Sequence, residues 1–336
     1  MIQVENLSKA YPGATAVDRL SFSIEKGEIV GFLGPNGAGK TTTMRILTAF
    51  IRPSSGRASV AGFDVETAPL DVRRNVGYLP ENVPLYGEMR VREMLAWRAS
   101  LKGVPRNKVA GRVDTVVGLC GLGDVRDRIV EQLSKGYRQR LGLAESMVHD
   151  PPLLILDEPT VGLDPHQIRQ VRSLITELGR QHTIILSSHI LPEVEQVCSR
   201  IVIISKGRIV ASDTPEDLRR SLAGGSSLTV AMRGPAGAPP LTEDAFRAAL
   251  AGLPGLSGSP AVEPDEGGAL RAHLSLERGA DPREEVFRLA VARGWVLVEL
   301  SRRAMTLEEI FVNVTTREAA SEAAAPEPAA PAGGGA

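Results

Sequence analysis

The chain has 336 residues, a net charge of -1 and an apolar fraction of 43%, an ordinary globular composition that suggests about two domains. The near-neutral balance argues against a dedicated nucleic-acid binder, which carries a basic excess, and no apolar run approaches the ~18 residues that a bilayer span needs. The first residues lack the basic and apolar regions of a signal peptide, and Cys120 and Cys198 stand in no metal-like spacing, so a cytosolic protein with two reduced structural thiols is expected.

In chain order, residues 2–7 and 20–24 read as strands, with a Tyr11-Pro12-Gly13 turn between them. Tyr11 is either a ring that stacks on a base or an edge-strand core residue. The mostly apolar run 28–33 predicts a buried strand and 41–50 a helix. Between them lies Gly34-Pro35-Asn36-Gly37-Ala38-Gly39-Lys40-Thr41, followed by Thr42, which matches the phosphate-binding loop pattern. Gly34, Gly37 and Gly39 let successive N–H groups converge on one anion, and the helix N-terminus adds its partial charge. Lys40 supplies a full charge to the β- and γ-phosphates, and the Thr41 hydroxyl suits Mg²⁺. The chain is expected to bind a nucleoside triphosphate.

Residues 52–56 form a turn, 57–63 a strand, and 75–80 a strand stopped by Pro80, with Glu81 in the loop beyond. Helical spacing at 91–102 and 109–119 predicts two amphipathic helices, which either face a core or form an outlying subdomain that docks a partner. Ser134 precedes another helix; it is an N-cap or, with Gly136, a second anion site. Residues 153–156 are four apolar positions ending in Asp157 and Glu158. Such a run reads as a parallel strand whose carboxyl end meets the phosphate loop. Asp157 is then placed for Mg²⁺ and Glu158 for deprotonating an attacking water. A turn-rich loop through Asp164 leads to a helix at 166–178, and a strand at 183–186 ends in Ser187-Ser188-His189. His189 lies past a strand end, in reach of a γ-phosphate. Residues 201–205 and 208–211 read as a closing hairpin.

Together these segments resemble the nucleotide-binding subunit of ATP-binding cassette (ABC) transporters. GPNGAGKTT, LSKGYRQR, LLILDEPT, VGLDP and SSH stand in that family's order over about residues 2–217. The resemblance implies a P-loop α/β cassette, a mixed sheet with helices and a helical subdomain, that hydrolyses ATP with Mg²⁺. It implies that Tyr11 stacks on adenine and that Ser134 and Gly136 contact the γ-phosphate held by an opposite subunit. It also implies that Asp164 lies in a dimer-interface loop, that His189 is a switch histidine, and that two cassettes sandwich two ATP. Two positions depart from the pattern: Lys135 and Tyr137 interrupt the usual Leu-Ser-Gly-Gly-Gln, and Glu81 replaces a glutamine that touches Mg²⁺ and relays to the membrane subunit. With GYLPENVPLY, these departures resemble the bacterial exporter branch related to gliding-motility and multidrug-type ATPases. That branch pairs its cassette with an integral membrane permease and sits on the inner face of the membrane.

Residues 218–227 are read as a linker. The order strand, helix, strand, strand, helix, strand over 228–316 suggests a small ferredoxin-like α+β domain, closed by an amphipathic helix at 306–314. It resembles an accessory domain of that branch, serving dimer contact or regulation. The tail from 317 is dominated by Ala, Pro, Glu and Gly, which predicts disorder. The expected function is the ATPase of an exporter. The alternatives are an importer ATPase and a soluble ABC ATPase acting on nucleic acid or ribosomes, for which the chain shows neither a second cassette nor a long coiled-coil insertion.

Overall fold

The computed structural model describes residues 1–222, 226–235, 240–265, 268–277 and 280–304, so the expected helix at 306–314 and the tail from 317 lie outside the described residues. The chain divides into two compact units, Met1–Pro215 and Glu216–Ala336.

The first unit begins with β1 (Ile2–Tyr11), β2 (Ala14–Ile24), β3 (Ile29–Leu33) and α1 (Lys40–Leu47). After β4 (Ser55–Val60) and β5 (Phe63–Asp64) come α2 (Pro69–Asn75), β6 (Val76–Leu79), α3 (Val91–Leu101), α4 (Arg106–Leu119) and α5 (Lys135–Met147). The unit continues with β7 (Leu153–Asp157), α6 (Pro165–Leu178), β8 (Thr183–Ser188), α7 (Leu191–Glu195), β9 (Arg200–Ser205) and β10 (Arg208–Asp213). Strands β2-β1-β4-β5 form an antiparallel sheet, and β10-β9-β3-β8-β7-β6 form a second sheet that is parallel except at β10. Every residue of β7 and β8 is buried, which is why these strands read as continuous apolar runs and not as alternations. The core joins both sheets through Leu7, Leu20, Phe32, Ile46, Leu47, Ile155 and Val202.

Register brings the chemistry to one end of the parallel sheet. Leu33 pairs with Ser188 and with Ile203, Asp157 with Ser187, and Leu79 with Leu156. The residues that follow these strands therefore meet at one edge, where ligands bind in open α/β sheets.

The second unit holds α8 (Pro215–Leu222), β11 (Ser226–Arg233), α9 (Glu243–Ala251), β12 (Ala261–Pro264), β13 (Leu270–Ser275), α10 (Arg283–Arg293) and β14 (Val296–Ala304). Its sheet is antiparallel in the order β12-β13-β11-β14. Phe246 and Leu250 of α9 and Val286 and Ala290 of α10 pack on Leu228, Val230 and Leu274. The linker expected at 218–227 is corrected: 218–222 are helical and β11 begins at Ser226. Pro215 at the first helical position, with Glu216 and Asp217 in the first turn, is a start signal that outweighs the polar composition.

Candidate nucleotide site

The loop between β3 and α1 wraps a cleft of about 410 Å³, lined by residues Ala16, Pro35 through Thr42, Glu81, Glu158, Val161 and His189. Gly39 caps α1 with φ 101°, a left-handed conformation that favours glycine. The backbone packs too closely for a side chain at Gly34, where a Cβ would stand 2.4 Å from the Ile204 carbonyl oxygen. The Lys40 ammonium is buried and donates to the Gly34 carbonyl at 2.7 Å and the Pro35 carbonyl at 3.3 Å.

Three strand ends build the carboxylate side of the cleft. Glu158 Oε1 lies 3.3 Å from Lys40 Nζ, and Glu158 Oε2 lies 2.9 Å from His189 Nδ1. Glu158 is held at φ 49°, an uncommon backbone conformation for a non-glycine residue, of the kind that concentrates at functional sites. Its carboxylate is thereby turned out of the β7 line and into the cleft.

Asp157 is fully buried. Its Oδ1 accepts from Ser187 Oγ at 2.6 Å and from Thr41 Oγ1 at 3.3 Å. Burial raises its pKa, and the Ser187 and Thr41 hydrogen bonds oppose that shift. Asp157 Oδ2 is buried and has no hydrogen-bond partner. An orphaned carboxylate oxygen beside a threonine hydroxyl at the start of α1 is a donor set that fits Mg²⁺, a hard cation that takes oxygen ligands.

Ser187 is the residue that the sequence reading passed over. Besides donating to Asp157, its Oγ accepts from the Glu158 N–H at 2.9 Å, so one hydroxyl orients both carboxyl residues. Its only signal was its place beside His189 at the end of a buried strand.

The other candidates lie apart from this cluster. Tyr11 is at the tip of the β1–β2 hairpin, paired with Ala14. Its ring is 45% exposed, with Lys9 Nζ 5.4 Å from its centroid. It does not line the cleft, although Ala16 of the same hairpin does. Ser134 is the N-cap of α5 and accepts from the Tyr137 N–H at 3.4 Å. Asp164 is the N-cap of α6 and accepts from the His166 and Gln167 N–H groups, both at 2.9 Å. Gly136 packs beneath Gln167. None of Ser134, Gly136 and Asp164 lines the cleft of its own chain.

A family model described as ABC transporter matches residues 17–161. The chain is 30% identical over 322 residues to the linearmycin resistance ATP-binding protein LnrL of Bacillus subtilis, covering 94% of this chain and 99% of that one. This chain belongs to the ATP-binding subunits of ABC transporters. The daunorubicin/doxorubicin resistance ATP-binding protein DrrA of Streptomyces peucetius is 38% identical over 222 residues, 66% of this chain and 67% of that one. Among solved structures, an ATP-binding cassette captured as a dimer in a post-hydrolysis state with ADP and Pi superposes with a TM-score of 0.59 at 20% identity. It covers 64% of this chain and 98% of that one, and it supports the P-loop fold. The chain is thus an ATP-binding ATPase. Among the described residues no helix is long and apolar enough to cross a membrane.

Proposed function

We propose that this ATPase is the motor of an exporter: two copies close head-to-tail around two ATP, and hydrolysis reopens them to drive a separately encoded integral membrane permease. The observation that carries this reading is Glu158, held between the Lys40 ammonium and the His189 imidazole at the mouth of the phosphate loop. The backbone of 35–39 cradles the phosphates, Lys40 binds the β- and γ-oxygens, and Thr42 lies at their side. Thr41 and Asp157 would hold Mg²⁺, which neutralises charge building on the phosphates. Glu158 takes the proton of the attacking water. His189 fixes the Glu158 carboxylate and contacts the γ-phosphate, so that it reports whether that group is present. Tyr11 lies on the hairpin that lines the cleft and stacks on the base. Ser134, Gly136 and Asp164, which face away from their own cleft, serve the partner's nucleotide.

The direction of transport rests on the resistance proteins LnrL and DrrA. The permease surface is a groove of about 500 Å³. Phe50, Leu70 and Leu101 stand in it 68%, 65% and 62% exposed, an unusual concentration of solvent-facing apolar side chains. Arg73, Arg74 and Lys102 edge the groove.

A tagged chain recovered from detergent-solubilised membranes tests the reading. We expect a multi-span membrane protein that changes ATP turnover, and loss of that protein with Leu70→Glu while ATP binding persists. Recovery of ribosomes or nucleic acid without a membrane protein would overturn it.

A further inference from the structure

The loop beyond Glu158 carries a charge that belongs to another segment. Lys135 is the first residue of α5, directly after the Ser134 cap, and its ammonium rests on Gly162. A Cβ built on Gly162 would stand 1.8 Å from Lys135 Nζ, and Gly162 has φ 68°. Only glycine leaves room for the lysine there. The neighbouring Val161 lines the nucleotide cleft, and a Cβ on Gly136 would stand 2.6 Å from the Gln167 side chain. The N-termini of α5 and α6 are therefore drawn together, with Lys135 at the seam. Lys135 is exposed, does not line its own chain's cleft, and forms no ion pair among the described residues.

The cleft meanwhile is short of positive charge. Glu81 and Glu158 line it against Lys40 alone, Lys40 is partly engaged by Glu158, and Asp157 lies directly behind Thr41. A triphosphate adds more negative charge than one magnesium ion offsets.

We infer that Lys135 supplies the missing cation in trans, its ammonium donating to the γ-phosphate of ATP bound by the second copy while its stem lies on Gly162. The inference rests on the head-to-tail pairing proposed above. A lysine at the closing seam adds attraction only when the two copies meet, so it strengthens the dimer without touching ATP binding by one copy.

The test uses the full chain with Glu158→Gln, which slows turnover. ATP-dependent dimerisation is followed by sedimentation velocity, and one-copy affinity by titration of dilute protein with a fluorescent ATP analogue. Lys135→Gln is expected to weaken the dimer about tenfold, the scale of one charge-assisted hydrogen bond, with one-copy affinity unchanged. Lys135→Arg retains most of the dimer, and Gly162→Ala, which displaces the lysine, reproduces the loss. Adding Glu81→Gln to Lys135→Gln restores part of it, because one opposing charge is gone. Unchanged dimerisation in Lys135→Gln overturns the inference, and so does a fall in one-copy affinity, which would place the contact in cis. If the Glu158→Gln parent does not dimerise with ATP, the pairing itself fails and the inference falls with it.

Discussion

A buried carboxylate with one unsatisfied oxygen is expensive, and Asp157 sits in that condition at the end of β7. The cost is tolerable where a cation completes the site. Asp157→Asn should therefore weaken Mg²⁺-dependent ATP binding more than Mg²⁺-free binding, as paired titrations with and without a chelator would show. Glu158→Gln should cut hydrolysis by about 10²-fold or more and leave ATP binding in place; normal turnover in that variant would remove Glu158 as the base. His149 makes a third residue-scale case. Burial, with smaller contributions from the Lys102 and Arg112 charges, lowers its pKa from 6.5 to about 3. Its Nε2 lies 3.2 Å from the Val76 carbonyl, and its Nδ1 is buried without a partner. The unfolded chain binds a proton here between those two values and the folded chain does not. Stability accordingly falls as pH drops below 6.5, by up to about 1.4 kcal/mol per pH unit from this one group. Denaturant midpoints should show a shallower acid slope in His149→Gln.

Helix ends in this molecule do double work. Asp164 satisfies two N–H groups of α6 on the loop that starts at Glu158, so the cap also fixes the path of that loop. Asp164→Ala should cost about 1 kcal/mol, and Asp164→Asn much less, a difference that chemical unfolding resolves. The same loop is tied from another side, since Gln139 of α5 donates to the Pro159 carbonyl at 2.9 Å. At the strand scale, the parallel register explains why Gly34, Glu81, Glu158 and His189 meet although they are far apart in the chain. Gly34 shows how tightly that edge is packed: a methyl group there would strike the β9 backbone at Ile204, which no rotamer change relieves. Gly34→Ala should destabilise the fold by roughly 1–3 kcal/mol and impair ATP binding as well.

Taken whole, the chain carries two separate apolar cores, one spanning the two sheets of the first unit and one under α9 and α10. Calorimetry should resolve their responses. ATP at about a hundred times its dissociation constant should stabilise the first unit by about 2.7 kcal/mol. Phe246→Ala, which removes a fully buried ring from the second core, should cost that unit about 3–5 kcal/mol and leave ATP binding unaltered.

Much of the phosphate side of the site was legible in the chain. A glycine-rich loop between a buried strand and a helix has one use at that spacing, and an apolar run ending in Asp157-Glu158 has few, because these are local patterns set by backbone geometry and strand burial. The helix at 215–222 was misread for the converse reason, its capping proline and acidic turn being masked by a polar stretch. What the chain could not state are relations across long separations. The Ser187 hydroxyl shared by two carboxyl residues depends on the β7–β8 register, and the unsatisfied Asp157 oxygen depends on burial. The groove at Phe50, Leu70 and Leu101 and the lysine resting on Gly162 depend on which surfaces the packed elements leave facing one another. Sequence determined the residue types and the local turns; tertiary packing alone decided which of them share a charge, a hydrogen bond or an open face.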